Sequence, residues 1–355
     1  MKAARYYDRG DIRIEEVPEP TLEPGTVGID VAYCGICGTD LHEYLDGPIF
    51  VPAHGHPHPI SGESAPLTLG HEMSGVVYAV GEGVDDLEVG DHVVVEPYII
   101  DDQVDTSADN TSYHLSTDMN FIGLAGRGGG LSEKIVVQRR WVHPVGPDLP
   151  LDQAALIEPL AVGYHAYERS DAKAGDVALI TGAGPIGLLT AAVLKAKGVT
   201  VIFSELSELR RSKALETGVA DHALDPRETD VTAAVLELTD GVGADVAFEC
   251  SSVQPALDVL FDAVKPRGVI VVVSIWGHPA TLDMQKLVLK EVDVRGTIAY
   301  VNSHPQTIAL VQEGKVDLAP FITGTISLDH LVDEGFETLI HRNETAVKIL
   351  VDPRL

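Results

Sequence analysis

Three stretches of the 355-residue chain carry side chains that bind metals. They are Cys34-Gly35-Ile36-Cys37-Gly38-Thr39-Asp40-Leu41-His42, Gly70-His71-Glu72 and Leu156-Ile157-Glu158-Pro159-Leu160. A catalytic zinc takes about three protein ligands of nitrogen, sulfur or oxygen type and keeps a fourth position open for water or substrate. One thiolate, one imidazole and one carboxylate from these stretches meet that need. The Cys34/Cys37 pair admits two other uses. Half of a structural zinc site would require a second pair, and Cys250 is the only cysteine left. A redox pair opens a helix beside a βαβ pattern, whereas this one lies among short strands. Cys37 is therefore read as a ligand, Cys34 as a small buried residue and Cys250 as core at a strand end.

A second constellation is Gly182-Ala183-Gly184-Pro185-Ile186-Gly187. Glycine-rich turns are common, but this one follows the apolar run Val177 to Thr181 directly and precedes an apolar helical run. In that setting Gly182, Gly184 and Gly187 allow a tight turn, close approach of the backbone to a pyrophosphate, and contact between helix and strand. The N-terminus of the helical run Ile186 to Lys197, with Pro185 just before it, then faces the anion. Glu205 ends the next strand, where an acid accepts hydrogen bonds from ribose hydroxyls and repels a 2′-phosphate. This favours NAD over NADP. Arg210 and Arg211 lie close enough to soften the discrimination. Ile275, in the loop Ser274-Ile275-Trp276-Gly277 after a later strand, also belongs where such loops face the cofactor.

The elements that must hold these residues fall into two patterns. Up to about residue 150, short strands such as Val27 to Ala32, Ser74 to Val80 and His92 to Val95 alternate with Gly and Pro turns. From Asp176 onward, strands alternate with helices, which predicts βαβ units and a parallel sheet. After Gly296 the elements become short and mixed again. The expected class is α/β, with a Rossmann doubly wound sheet over 159–299 inserted into a β-rich catalytic domain formed by 1–158 and 300–355.

Composition narrows the function classes. Fifty-four acids against 25 bases give a net charge of −29, which would repel nucleic acid and anionic membranes. Self-repulsion of that size destabilises a compact state unless ions screen it, so a high-salt habitat is expected. No apolar run approaches the length of a spanning helix, and the polar start carries no signal-peptide core. Together with only three cysteines, this points to the cytoplasm.

Taken together, the Cys-Gly-Ile-Cys-Gly-Thr-Asp string with His42, Gly70-His71-Glu72, Gly81-Glu82-Gly83-Val84 to Gly90-Asp91, Glu158-Pro159-Leu160 and the glycine fingerprint resemble the medium-chain, zinc-containing dehydrogenase/reductase family over nearly the whole length. The resemblance implies a GroES-like β-rich catalytic domain beside the Rossmann domain. It implies zinc held by Cys37, His71 and Glu158, with Glu72 behind them or an occasional ligand, and a proton relay through Thr39 and His42. Asp40 to Phe50, Val95-Glu96-Pro97-Tyr98, Gly128 to Glu133 and Ile298-Ala299-Tyr300 are most similar to the branch acting on 2,3-butanediol and acetoin, and polyol dehydrogenases are the nearest rivals. A dinucleotide-binding module without activity would not be expected to keep Cys37, His71, Glu158, Thr39 and His42 together. The departure is the stretch from Ile99 to Ser116. It has none of the four cysteines that hold a structural zinc in the family, so one catalytic zinc and no structural zinc are expected. That lobe often supports subunit contacts, so a homo-oligomer, dimer or tetramer, is expected without a choice between the two.

Overall fold

The computed structural model describes residues 1–343 and 346–355. Its internal contacts divide the chain into two units, one of Met1–Glu158, His304–Gln312 and Asp317–Leu355, the other of Pro159–Ser303 and Glu313–Val316.

The first unit is built on a seven-stranded sheet. Val142–Val145, His92–Val95, Glu72–Val80, Thr26–Gly35, Lys348–Asp352 and Ile322–Ser327 lie side by side, and Lys134–Gln138 pairs with Thr26–Gly35 as well. Pairing is antiparallel except between the last two neighbours. Thr26–Gly35 is the pivot: it touches three partners, and its β-branched residues Val27, Ile29 and Val31 are buried. Its register sets Gly35 opposite Glu72 on one side and Leu350 on the other. Residues distant in the chain are thereby brought to one end of the sheet. A smaller sheet orders Asp11–Glu16, Lys2–Asp8 and Leu67–Thr68.

The second unit carries a six-stranded parallel sheet ordered His222–Leu224, Thr200–Ser204, Val177–Thr181, Ala244–Glu249, Val264–Val272, Asp293–Gly296. Counted along the chain this is the 3-2-1-4-5-6 order of a doubly wound dinucleotide sheet. Leu179, Ile202, Ala247 and Ile270 from four strands pack with Leu257, Leu260 and Phe261 of the helix Gln254–Ala263. The order reverses between Val177–Thr181 and Ala244–Glu249, which places a ligand crevice at their carboxyl ends. The helix after the fingerprint starts at Pro185, one residue earlier than the apolar pattern suggests. Proline suits that first position, because its missing N–H would have had no partner there. No helix among the described residues is long and apolar enough to cross a membrane.

Candidate functional site

Cys37 caps the helix Gly38–Asp46, and its own N–H donates to Asp40 Oδ2 at 2.9 Å. His71 follows the turn at Gly70, where φ is +101° and a Cβ would sit 2.5 Å from Leu131 N, so only glycine fits. Cys34 is wholly buried beside that turn, with its sulfur 2.8 Å from where a Cβ at Gly70 or Gly130 would lie. It fills space in the manner of a small apolar residue.

These elements bring Cys37 Sγ, a ring nitrogen of His71 and a carboxylate oxygen of Glu72 within 4.8 Å of one another. Asp40, wholly buried, stands behind His71 with Oδ1 3.6 Å from Nδ1, and neither atom has a hydrogen-bond partner. Burial raises the Asp40 carboxyl to about 6. Burial works against a proton on His71, yet Asp40, Cys37 and Glu158 together hold its pKa well above the ordinary imidazole value. A cluster of negative groups that holds a proton on His71 also attracts a cation. A carboxylate behind a histidine is also the arrangement that orients metal-bound imidazoles. Glu158 is buried in the first turn of the helix Ile157–Ser170, and its charge acts on both His71 and Lys348. The donor set of thiolate, imidazole and carboxylate fits zinc.

Glu72 is not an open acid. Lys348 Nζ lies 2.7 and 2.6 Å from its two oxygens and donates a third bond to Ile36 O at 3.1 Å. Both side chains are almost fully buried. Gly35 makes the room, because a Cβ there would lie 2.1 Å from Glu72 Oε2. Burial opposes the lysine charge, but Glu72 and Cys37 hold its pKa above the ordinary value. Neither Asp40 nor Lys348 stands out in the sequence as a site residue. Asp40 closes the Cys-Gly-Ile-Cys-Gly-Thr-Asp string, and its place three residues after Cys37 is that of a capping carboxylate, but neither signal points to His71.

Thr39 Oγ1 lies 3.7 Å from Cys37 Sγ. His42 is on the same helix three residues on, exposed to solvent. His54, His56 and His58 do not converge on a metal site: His54 Nδ1 meets Ala65 O at 2.9 Å, His56 is exposed, and burial lowers the pKa of His58.

In the second unit, Gly182 (φ +91°) and Gly187 form the fingerprint turn, and a Cβ on Gly187 would lie 2.0 Å from Gly182 O. Glu205, 9% exposed, accepts from Ala183 N at 2.7 Å and from Ser207 N at 2.8 Å. It thus stands against the fingerprint turn. Arg210 is partly buried on the following helix, Glu208–Glu216. Arg211 binds the Glu205 and Leu206 carbonyls and pairs with Asp225, so its charge is already matched by an acid. Ile275 is exposed. Cys250 is only partly buried, lying against Gly182 and Gly187.

A second trio, Glu96, His143 and His304, also brings donor atoms within 4.8 Å. Here the carboxylate is already engaged. Tyr113 donates to Oε1 at 2.5 Å, while His143 Nε2 and Arg140 Nη1 lie 2.8 and 3.4 Å from Oε2. A guanidinium in this position disfavours a cation.

Two family models match: an alcohol dehydrogenase GroES-like domain over residues 23–147 and a zinc-binding dehydrogenase over residues 185–313. An (R,R)-butanediol dehydrogenase of Neisseria gonorrhoeae is 69% identical, with 100% of both chains covered. A sorbitol dehydrogenase of Halalkalibacterium halodurans is 34% identical over 98% of this chain and 97% of its own. The crystal structure of 2R,3R-butanediol dehydrogenase from Bacillus subtilis superposes with a TM-score of 0.93 at 45% identity, covering 99% of each chain. With thiolate, imidazole and carboxylate donors gathered in one unit and a doubly wound parallel sheet in the other, the chain belongs to the zinc-binding, medium-chain dehydrogenase family.

Proposed function

We propose that the protein interconverts a vicinal diol and its hydroxyketone, 2,3-butanediol and acetoin, using NAD and one zinc ion held by Cys37, His71 and Glu158. The observation that carries this reading is the convergence of Cys37 and His71 beside a Glu72 already neutralised by Lys348, in a chain 69% identical throughout to a butanediol dehydrogenase. Bound zinc supplies a Lewis acid that lowers the pKa of a hydroxyl it contacts.

The protein supplies the rest. Asp40 fixes Cys37 through its backbone N–H and stands behind His71. Lys348 holds Glu72 back as a neutral pair, which leaves room for a substrate oxygen. Thr39, beside the Cys37 sulfur, accepts the hydroxyl proton as its own Oγ1 proton passes on toward His42. His42, at the exposed side of the same helix, takes up that proton and gives one to water. Glu205 selects NAD by disfavouring a 2′-phosphate, with Arg210 close by, and Gly182, Gly184, Pro185, Ile186 and Gly187 receive the pyrophosphate. Residues 1–158 and 300–355 serve as the catalytic domain and 159–299 as the cofactor domain. The three free cysteines suit the reducing cytoplasm. The edge strand Asp293–Gly296 and the exposed Leu282, Met284, Val288 and Leu289 suit pairing with a second copy, so a homo-oligomer is expected by light scattering.

The test is NAD reduction with each 2,3-butanediol stereoisomer beside sorbitol, before and after chelation. Chelator-sensitive turnover of a butanediol isomer well above sorbitol supports the assignment. Turnover of sorbitol alone keeps the zinc chemistry and removes the diol, an outcome that the 34% identical sorbitol dehydrogenase makes the leading alternative.

A further inference from the structure

The carboxylate of Glu249 is wholly buried at the carboxyl end of Ala244–Glu249, next to the point where the strand order reverses. It makes no ion pair among the described residues, which is unusual for a buried acid. Its donors are neutral. Oε1 accepts from Ser251 N at 2.7 Å, Ser251 Oγ at 2.7 Å and Ser252 N at 2.8 Å. Oε2 accepts from Trp276 Nε1 at 2.9 Å and from Ser274 Oγ. One side chain thus joins the loop after Ala244–Glu249 to the loop after Val264–Val272. Ser252 adds a second tie through Oγ to Ile275 O at 3.1 Å.

The first of these loops is also fixed to the fingerprint turn. Cys250 N donates to Thr181 O at 2.9 Å, and a Cβ on Gly182 would lie 3.0 Å from Cys250 O. Ser252 is held at φ +57°, a left-handed conformation that a non-glycine residue adopts only when its surroundings impose it. Trp276 packs its ring against the core cluster that includes Leu257, Leu260 and Phe261. Three carboxyl-end segments therefore form one connected wall of the crevice, and both oxygens of Glu249 must accept. An amide offers only one acceptor oxygen and would turn its NH2 toward donors.

We infer that Glu249 is a positioning residue for the cofactor: it locks Trp276, Ile275 and the Ser251–Ser252 turn in place before the dinucleotide arrives. The inference rests on the proposed use of this crevice by NAD. The ordering of two loops is then complete in the ligand-free protein and is not charged against binding.

The test uses the full chain with Glu249→Gln, Glu249→Asp and Trp276→Phe. In ligand-free protein, acrylamide quenching reports the access of Trp276. Trp276→Phe leaves only Trp141 emitting, since the chain has two tryptophans. Glu249→Gln should raise quenching of the Trp276 component at least twofold and raise KM for NAD about tenfold or more, with kcat within about threefold. Glu249→Asp keeps the charge but is one methylene short of spanning both loops, so it should share the defect. Unchanged quenching and KM in Glu249→Gln, or full rescue by Glu249→Asp, overturns the inference. A wild-type protein that binds no NAD(H) defeats the cofactor reading instead, and the ligand-free quenching still reports on the lock.

Discussion

At the residue scale, the charge of the metal site turns on Lys348. Cys37, Glu158 and Glu72 cluster around it, and it is the cation that neutralises Glu72. Removing one partner of a buried pair leaves an uncompensated charge and costs about 3–5 kcal/mol, whereas replacing both by neutral groups is far milder. Lys348→Met is therefore expected to lower stability by roughly that amount in urea unfolding, while Lys348→Met combined with Glu72→Gln recovers more than half of the loss. The single variant should also free the Glu72 carboxylate to reach the metal. In the cobalt-substituted protein, the visible bands should then stop responding to added alcohol and respond again in the double variant. A single variant as stable as wild type would remove the electrostatic role. Cys37, His71 and Glu158 could be singled out in the sequence because each sits in a short, recognisable string. Lys348 could not, since 276 positions separate it from Glu72 and only the pairing of Lys348–Asp352 with Thr26–Gly35 brings the two together. The distant partners of Asp40 (His71) and of Glu249 (Ser274 and Trp276) are likewise brought close only by the fold.

At the element scale, the segment that holds four cysteines in the family is held here by other means. Tyr98, Tyr113, Phe121 and Trp141 pack as a cluster of rings, Arg140 donates to Thr106 O at 2.9 Å, and Tyr113 reaches the buried Glu96. Metal analysis should accordingly find one zinc per chain, and a second equivalent lost on His143→Gln would instead assign Glu96, His143 and His304 to it. His304 stacks on His143 at 5.0 Å between ring centroids. Burial pushes the His304 pKa down to about 3, while Glu96 works in the opposite sense. Burial alone would raise the Glu96 pKa, but His143, His304 and Tyr113 bring it to about 2. The signs agree. The unfolded chain protonates His304 below about 6.5 and Glu96 below about 4.3, whereas the folded chain resists both. Stability held at neutral pH is thus lost as pH falls from about 6.5 toward 2, at up to about 1.4 kcal/mol per pH unit for each proton. His304→Asn should make the loss between about pH 6.5 and 4.3 shallower, leaving there the part due to His58, whose pKa burial also lowers. A variant whose urea midpoints fall across that interval as steeply as those of the wild type would rule His304 out. Strand and helix order was legible from periodicity, but strand ends were less so. Val264–Val272 begins five residues before its apolar run at Val269 because a register shift, with Arg267 at φ +59°, extends the pairing.

At the scale of the whole molecule, the net charge of −29 has no single home. Ion pairs such as Lys2–Asp329, Arg13–Asp11 and Arg139–Asp86 match some acids, but they are exposed pairs whose attraction water and salt largely screen. With 54 acids and 25 bases, acids outnumber their possible basic partners about two to one. Screening then removes more repulsion than attraction. The Debye length falls from about 10 Å at 0.1 M salt to about 3 Å at 1 M, which silences repulsion between neighbouring surface acids but hardly touches buried pairs such as Glu72–Lys348. The melting temperature is therefore expected to climb as potassium chloride rises from 0.1 to 2 M, most steeply at the low end where the screening length changes fastest. Neutralising the exposed Glu82, Asp85 and Glu88 to amides should raise the low-salt melting temperature and flatten the climb. Calorimetry across that salt series decides the matter: a melting temperature indifferent to salt, or one lowered by the triple substitution, would mean that the acids are satisfied in place and that self-repulsion does not limit this fold.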